Sequence, residues 1–290
     1  MSAEGVSLGT VWGLRGRSFG DPSREETRLL SLAADQLALA LRREQLSTEA
    51  TKAEIARQSD ALKSALLDSV SHDLRTPLSS IRATAGSLMD PAVDWPAPER
   101  FAAGRAIDSE AQRLSALVQN VLDLSRIEGG ALHPDLEVLD PRELAELVVA
   151  RLGALDGTRE ITVELADLPP IRADAVLFDT VLGNLLENAL RHAGPDAPIR
   201  VGGVTRDGWV ELSVEDGGPG VPEETLPRLF GKFYRVPGRP PGSRTGLGIG
   251  LSIVQGFVEA MGGRVWAERS SLGGLAVRLE LPVVPEPPDR

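Results

Sequence analysis

The sequence predicts a multidomain protein in which an all-α helical hairpin precedes a layered α+β domain. Two long segments carry apolar residues at helical spacing and are joined by a short connection that contains prolines. Beyond Leu136 the pattern changes to helical segments that alternate with short apolar strands. A length of 290 residues allows two or three domains, each with a core of its own.

The first part of the chain predicts strands and then one very long helix. Apolar and small residues alternate from Gly5 to Phe19, which predicts one or two strands that end at the turn 20–23. Helical spacing then runs from Glu25 to about Met89. Residues 46–60 of this helix are polar, with charges of both signs, and are predicted to form a coiled-coil signalling linker.

The second long helix is predicted from Glu99 to Ile127, where Gly129 and Gly130 stop it. Two amphipathic helices with a short connection form an antiparallel hairpin, whose apolar stripe is too wide to be covered within one chain. Pairing of two hairpins gives a dimeric four-helix bundle, so we expect a homodimer. The buried side of the second helix is predicted to hold Ile107, Leu114, Leu117, Val118, Val121, Leu122 and Leu124.

The rest of the chain predicts an α+β domain over residues 136–283, followed by a disordered tail at 284–290. A loop rich in proline, glycine and arginine at 221–245 interrupts this domain. Helices are predicted at Pro141–Leu152, Asp174–His192 and Leu251–Met261. Strands are predicted at Ile161–Leu165, Ile199–Val204, Trp209–Val214, Arg264–Glu268 and Leu275–Leu281, the second and third forming a hairpin over Arg206–Gly208.

Charge and composition exclude several classes of function. The net charge of −11 argues against a nucleic-acid clamp, because neutralising phosphates requires clustered lysine and arginine. The chain has no cysteine, which excludes disulfides and thiolate metal sites. It has neither an apolar run long enough to span a bilayer nor a signal peptide at its start. We therefore expect a cytoplasmic protein with no nucleic-acid partner and no direct membrane contact.

A histidine in the first long helix is the candidate nucleophile. His72 lies two residues from the apolar positions Val70 and Leu74, about 200° round the helix from each, so it is predicted to face away from the core. Its ordinary pKa of about 6.5 leaves much of the imidazole neutral near neutral pH, and the adjacent Asp73 is placed to hold the other ring nitrogen. Taken alone, His72 would be read as a solvated surface histidine.

The predicted helix that ends at His192 carries amides on one face. Asn184, Asn188 and Arg191 follow the spacing i, i+4 and i+7, which an ordinary polar outer face would also show. Amide oxygens suit a hard cation such as Mg²⁺, and an arginine beside them suits phosphate. The pattern therefore indicates either a solvated helix face or a site for a metal-bound phosphate.

Two glycine-rich segments follow this helix. Asp216 comes after a strand and is followed by glycines, so its carboxylate could accept from an exocyclic amine while the backbone lies against a flat ring; a plain turn has the same composition. Gly246, Gly248 and Gly250 open a helix, whose free N–H groups bind anionic phosphates. Because no strand precedes these glycines, they do not form a Rossmann motif, and the chain has no P-loop motif.

Taken together and in this order, the His72 motif, the asparagine helix, the Asp216 turn and the glycine-rich segment resemble the transmitter module of bacterial sensor histidine kinases. The resemblance covers about residues 60–283. It implies a dimerisation and phosphotransfer domain at 61–130 and, at 136–283, a catalytic α+β sandwich of the histidine kinase, gyrase and chaperone type that binds ATP. The implied activity is transfer of the γ-phosphate of ATP to His72 and then to an aspartate of a response regulator, with dephosphorylation of that regulator as a second activity.

The resemblance also implies a role for each motif residue. His72 is the phosphoacceptor, Asp73 assists it as acid or base, and Thr76 is placed to assist water in the reverse phosphatase reaction. Asn188 is the Mg²⁺ ligand, Asn184 is its partner on the helix, and Asp216 reads the adenine amino group. The other implied ATP contacts are Arg191, Gly218, Gly220, Arg235, Arg244, Gly246, Gly248 and Gly250, with Phe230 and Phe233 as the aromatic residues of the lid.

Position 184 bears on the class of reaction. The related gyrase and chaperone ATPases carry a glutamate there to activate water, whereas the amide of Asn184 cannot take a proton. This favours a kinase over a free-standing ATPase. A signalling scaffold or phosphatase-biased module, in which ATP only sets the conformation, is the other alternative, and the intact motifs disfavour it.

Residues 1–45 resemble the last strands and exit helix of a GAF-like sensor domain. The resemblance rests on the stretch Gly5–Trp12 and on the helical segments 25–30 and 32–41. Among histidine kinases, residues 67–81 with the helix before them most resemble the potassium-sensing Kdp type. These resemblances imply a truncated or unusually short sensor ahead of the transmitter module.

Overall fold

The computed structural model describes residues 2–3, 6–7, 21–90, 92–156, 161–165, 167–237 and 247–284, without the side chains of 2–3, 6–7, 49–70, 72 and 154–156. The chain divides into two compact units, Met1–Asp68 and Ser69–Arg290. Two of the predicted features, the strand residues at 8–19 and the tail beyond residue 284, lie outside the described residues.

The first unit holds a small strand pair and most of helix α1. Strands β1 (Ser2–Ala3) and β2 (Val6–Ser7) pair antiparallel. Helix α1 spans Arg24–Leu88, as the helical spacing predicts. It starts at a capping box, because the Glu26 N–H donates to Ser23 Oγ at 3.1 Å while the Ser23 N–H donates to Glu26 Oε2 at 2.8 Å. Neither α1 nor any other helix in the described residues is apolar enough over a sufficient length to cross a membrane.

In the second unit, the end of α1 and helix α2 (Ala97–Glu128) form the predicted helical hairpin. Trp95 Nε1–H donates to the Ser87 carbonyl at 3.0 Å and so holds the connection against the end of α1. The predicted stop signal of α2 is confirmed, since the Gly129 N–H still bonds the Ser125 carbonyl at 3.0 Å and Gly130 takes a φ of +61°.

Burial along α2 differs from the prediction. Leu117 and Leu124 are buried, but Val118, Val121 and Leu122 are exposed by 46%, 36% and 49% although they were predicted on the buried side. The apolar face of α2 is wider than the area that the rest of one hairpin is able to cover. These three side chains therefore stay exposed within a single chain.

The α+β domain contains the remaining elements. Its main sheet has five strands in the order β4-β6-β7-β9-β8, with β4 and β6 parallel and the other neighbours antiparallel. The strands are β3 (Glu137–Leu139), β4 (Ile161–Leu165), β5 (Ile171–Ala173), β6 (Ile199–Arg206), β7 (Trp209–Asp216), β8 (Arg264–Arg269) and β9 (Leu275–Pro282). Between β6 and β7, Asp207 and Gly208 take φ values of +51° and +81°, which is the two-residue turn that a hairpin of this twist requires.

Helices α3 (Pro141–Asp156), α4 (Ala175–His192) and α5 (Gly250–Ala260) share one hydrophobic core with the main sheet. Alternation along β7 separates the two faces of the sheet, since Val210, Leu212 and Val214 belong to this core while the residues between them are polar. The largest fully buried side chains are Phe178, Phe257, Ile171, Leu182, Leu186, Ile199, Leu212, Ile249, Ile253, Met261, Leu279 and Leu281.

In the described residues of the α+β domain, three short elements were not predicted. Strands β3 and β5 pair antiparallel as a separate two-stranded sheet, and a 3₁₀ helix spans Glu223–Arg228. A strand of three residues is too short to show an alternating pattern. The 3₁₀ helix contains Pro227 and follows Pro222. Two prolines within six residues of a sequence indicate a loop and not a helix.

The end of the hairpin packs directly on the α+β domain. Ile127 lies so close to Gly256 of α5 that a methyl group on this glycine would lie 2.7 Å from Ile127 Cδ1. Beside it, Lys232 Nζ lies 2.7 Å from Glu128 Oε1. An apolar contact and an ion pair therefore join the last turn of α2 to the domain that holds the candidate site.

Candidate functional site

Helix α4 presents the predicted amides at the border of the core. Asp174 caps its first turn, with Oδ1 accepting two backbone N–H groups at 2.9 and 3.1 Å. Asn184 and Asn188 are half-buried, while Arg191 is exposed and lies 3.7 Å from the Glu187 carboxylate. The helical period thus puts the two amides on one side of α4, as the spacing predicts.

The amide helix and the glycine-rich segment lie next to each other. Asn184 Nδ2 donates to the Thr180 carbonyl at 2.9 Å, so the amide oxygen Oδ1 of Asn184 faces away from that carbonyl. A methyl group on Gly250 would lie 3.1 Å from Asn184 Oδ1. Because Gly250 is the first residue of α5, the free N–H groups at the start of this helix lie close to the Asn184 amide of α4.

Asp216 ends β7 as a buried carboxylate, with 7% of the residue exposed. Its Oδ1 accepts the Gly218 N–H at 2.8 Å and the Leu275 N–H at 3.3 Å. Its backbone carbonyl accepts the Gly274 N–H at 3.1 Å. Backbone donors from two turns therefore fix the orientation of this carboxylate.

Glycines around Asp216 allow three backbone segments to approach closely. A methyl group on Gly218 would lie 2.6 Å from Ala193 Cα, at the end of α4. Gly220 takes a φ of +66°, and a methyl group there would lie 3.4 Å from the Gly274 carbonyl oxygen. The glycines predicted beside the carboxylate are therefore required by the packing of the turn.

The segment before α5 packs closely against residues 228–234. Gly248 takes a φ of +71°, and a methyl group there would lie 2.8 Å from the Tyr234 carbonyl oxygen. Phe233 also takes a positive φ, of +61°. The Arg228 guanidinium lies 4.9 Å from the centre of the Tyr234 ring. Phe230 and Phe233, the predicted aromatic residues of the lid, pack against the core.

Several predicted site residues belong to α1 or to the loop before α5, or lie outside the part of the chain that the structure describes. Arg244 and Gly246 lie outside the described residues, as does the side chain of His72, whose backbone belongs to α1. On the same helix Asp73 is half-buried and Thr76 is exposed, and Arg235 is exposed in the loop. Among the predicted residues, the fold places Asn184 against Gly250, and it places Asp216 together with Gly218 and Gly220.

Glu215, which sequence reasoning missed, lies at the centre of a charge network on the outer face of the sheet and is only 4% exposed. Its Oε2 accepts from Arg200 at 3.0 Å and from the hydroxyls of Ser271 and Ser270 at 3.0 and 3.2 Å. Its Oε1 lies 3.6 Å from Arg278 Nη2. The polar residues at every second position of β7 could have indicated this network, because they place a carboxylate on the second face of the sheet.

Ionised Glu215 is expected to stabilise the fold in a pH-dependent way. Burial raises the pKa of Glu215, but hydrogen bonds from Ser271 and Arg200 and the charge of Arg200 outweigh it, so the pKa lies below its ordinary value of 4.5. A lowered pKa stabilises the folded state above the unfolded-state pKa, and this contribution is lost as pH falls through the folded-state pKa.

We expect Glu215→Gln to lower the free energy of unfolding by about 1.5–3 kcal/mol at neutral pH, because a hydrogen-bonded charge is lost. The difference from the unsubstituted protein should shrink below about pH 4. Urea unfolding of both proteins across this pH range measures it. A difference of equal size at every pH would contradict the assigned charge state.

Two protein families match the chain. Residues 62–130 match the family described as His Kinase A (phospho-acceptor) domain. Residues 173–285 match the family described as histidine kinase-, DNA gyrase B-, and HSP90-like ATPase. The first match contains His72, and the second contains Asn184, Asn188 and Asp216.

Similar proteins carry the names of sensor kinases. The sensor protein KdpD of Mycobacterium tuberculosis is 36% identical over an alignment of 262 positions, gaps included, that covers 88% of this chain and 30% of that protein. The signal transduction histidine-protein kinase AfsQ2 of Streptomyces coelicolor is 31% identical over an alignment of 295 positions, gaps included, that covers 95% of this chain and 52% of that protein. The chain therefore spans about half, or less, of the length of these relatives.

Solved structures show the same fold. The histidine kinase AdeS of Acinetobacter baumannii matches 74% of this chain and 98% of its own, with a TM-score of 0.57 and 22% identity. Full-length ShkA, solved in complex with AMPPNP, matches 77% of this chain and 47% of its own, with a TM-score of 0.55 and 27% identity. The chain therefore belongs to the sensor histidine kinases, with a phospho-acceptor domain at residues 62–130 and an ATP-binding domain at residues 173–285.

Proposed function

We propose that this chain is the transmitter part of a cytoplasmic sensor kinase, which moves the γ-phosphoryl group of ATP to His72 and then to an aspartate of a response-regulator receiver domain. The surroundings of Asp216 carry this proposal. Its carboxylate is oriented by backbone N–H groups and bordered by glycines that leave no room for side chains. Such surroundings suit a flat base, because the backbone is able to lie directly against the ring.

The nucleotide would span the space from Asp216 to the start of α5. Asp216 would accept a hydrogen bond from the adenine amino group, with Gly218 and Gly220 beside the ring. The free N–H groups at the start of α5 would face the phosphates. The further phosphate contacts in this proposal are Arg191, Arg235, Arg244, Gly246, Gly248 and Gly250.

A magnesium ion belongs to the proposed site. The described residues contain no group of three acidic, histidine or cysteine side chains that could cage a metal ion. The half-buried amide of Asn188 fits Mg²⁺ nonetheless, because proteins hold this ion through few side-chain oxygens together with phosphates and water. Asn188 would be the protein ligand, with Asn184 beside it, and the ion would supply positive charge to the phosphates.

The chemistry at His72 is a single phosphoryl transfer. A ring nitrogen of His72 forms a bond to the γ-phosphorus while the bond from that phosphorus to the bridging oxygen breaks, and ADP leaves. Asp73 would hold the proton of the other ring nitrogen and so keep the attacking nitrogen unprotonated. Thr76 would orient the water that takes the phosphoryl group from the aspartate of the regulator in the proposed phosphatase reaction, which releases inorganic phosphate.

The amide of Asn184 supports a histidine rather than water as the acceptor. Its Nδ2 donates to the Thr180 carbonyl, and an amide has no basic atom that could remove a proton from water. Nucleotide held in this way would react slowly with water. ATP would then remain available for a nucleophile on the helical hairpin.

Exposed apolar side chains on the hairpin support a homodimer. Leu78, Phe101, Val118, Val121 and Leu122 are exposed by 36% to 70%. Apolar surface of this kind marks an interaction site, and a second hairpin would cover it by completing a four-helix bundle.

Incubation of the purified protein with γ-labelled ATP tests the proposed function. We expect label on the protein that is stable in alkali and lost in acid, because a phosphoramidate on histidine hydrolyses in acid, and we expect a receiver domain to remove it. ATP labelled at the α-phosphate is the control and should leave the protein unlabelled. Acid-stable label, or steady release of phosphate without a labelled protein, would contradict the proposal.

A further inference from the structure

Two consecutive residues, Glu215 and Asp216, hold the β8–β9 turn, which comprises residues 270–274. Asp216 holds the end of the turn, because its carbonyl accepts the Gly274 N–H at 3.1 Å. Glu215 holds the start, because its Oε2 accepts the Ser271 N–H at 3.3 Å and the Ser271 hydroxyl at 3.0 Å. Since side chains alternate along a strand, the two carboxylates reach the turn from opposite faces of the sheet.

The β8–β9 turn is closed by its own hydrogen bonds. The Ser270 N–H donates to the Gly274 carbonyl, and the Gly273 N–H donates to the Ser270 carbonyl, each at 3.0 Å. The Leu272 N–H donates to Ser270 Oγ, also at 3.0 Å. A displacement at the start of the turn would therefore also move Gly274.

Gly274 has no free space on the side of Asp216. A methyl group on Gly274 would overlap the Asp216 carboxylate and would lie 2.6 Å from the Gly218 nitrogen. A shift of Gly274 would therefore also displace the Leu275 N–H, which donates to Asp216 Oδ1. The orientation of the Asp216 carboxylate thus depends on where the turn lies.

Glu215 is itself held in place by two arginines. Arg200 bonds Glu215 at 3.0 Å and the Ser271 hydroxyl at 2.6 Å. Arg278 Nη2 lies 3.6 Å from the other oxygen of Glu215, Oε1. Arg278 also bonds Glu211 at 2.7 Å and Glu268 at 2.5 Å. Each arginine is about three-quarters buried, so the network is shielded from solvent.

We propose that Glu215 is a positioning residue for adenine recognition, which holds the β8–β9 turn so that the Asp216 carboxylate keeps the orientation that accepts the amino group of the base. This inference rests on the proposed function, in which Asp216 accepts a hydrogen bond from the amino group of adenine. Glu215 lies on the opposite face of the strand from Asp216, so it acts through the turn and not on the nucleotide. Its loss should therefore affect the choice of base and leave the binding of phosphates intact.

The affinities of the full chain for ATP and for inosine triphosphate test this inference, because inosine carries an oxygen where adenine carries the amino group. We expect the unsubstituted protein to prefer ATP. Glu215→Gln should reduce this preference roughly tenfold, by weakening ATP binding while the affinity for inosine triphosphate stays the same. Ser271→Ala removes the hydroxyl contact of the turn with Glu215 without a change of charge and leaves the backbone N–H contact in place. It should shift the preference in the same direction, which keeps the test valid if Glu215→Gln fails to fold.

Glu211→Gln is the matched control. Glu211 lies on the same strand and the same face and also bonds Arg278, but none of its bonds within the described residues reaches the turn, so the preference for ATP should be unchanged. An equal loss of affinity for both nucleotides, or an unchanged preference in the Glu215 and Ser271 variants, would overturn the inference alone. If the unsubstituted protein binds ATP without any preference over inosine triphosphate, the assignment of Asp216 fails, and the inference fails with it.

Discussion

Replacing His72 with glutamine is expected to abolish the transfer of label from γ-labelled ATP to the protein while ATP binding stays unchanged. The amide nitrogen of glutamine is not a nucleophile, and its side chain suits a helix, so α1 should persist. The residues proposed to hold ATP belong to a separate domain at 173–285 and should be unaffected. Incorporated label and ATP affinity, measured on the same preparations, should separate the two effects.

His133→Gln is the matched control for this experiment. His133 is exposed, lies between the helical hairpin and the α+β domain in sequence, and contacts the Ala131 carbonyl through Nδ1 at 3.0 Å. Its substitution should leave labelling at the level of the unsubstituted protein. Label that persists in the His72 variant, or that disappears in the His133 variant, would contradict the assignment of the acceptor.

Replacing Gly274 with alanine is expected to weaken ATP binding by about 100-fold without unfolding the domain. The added methyl group would overlap the Asp216 carboxylate and press on the Gly218 nitrogen, which are the groups proposed to meet the base. Forcing extra atoms into a packed site costs about 1–3 kcal/mol, and about 1.4 kcal/mol corresponds to a tenfold change in affinity. Nucleotide titration combined with circular dichroism measures affinity and folding together.

Gly153→Ala provides the comparison for Gly274→Ala. Gly153 lies in α3 of the same domain, and a methyl group there has no neighbouring atom within 4 Å. Alanine at this helical position should stabilise the domain by about 0.5–1 kcal/mol and leave ATP affinity unchanged. Equal ATP affinity in the two alanine variants would mean that the turn does not border the nucleotide.

Helix α4 illustrates what local sequence predicts well. Asp174 was predicted as its first residue and is its cap, and the last residue, His192, was also predicted. The positions of Asn184 and Asn188 on one side of the helix follow from its period alone. Such features depend on residues within about one helical turn of each other, so a single sequence contains the information.

The network around Glu215 shows why other features escaped prediction. Glu215 and Ser270 are 55 positions apart in the sequence, and their contact depends on the pairing of β7 with β9 and of β9 with β8. A glutamate in a strand reads as a solvated side chain, because charged residues are seldom buried without partners. Its partners become visible only when the order of the strands is known.

The sequence by itself determined the long helices and the turn at Asp207 and Gly208, because helix periods and turn propensities are local properties of the chain. The order of its motifs also supplied His72, Asn188 and Asp216 as predicted site residues. Only the tertiary structure decided that backbone groups from two turns fix Asp216, that Gly274 has no room for a side chain, and that part of the apolar face of α2 stays exposed. These outcomes depend on strand order and on the packing of helices, which join residues that are distant in the chain.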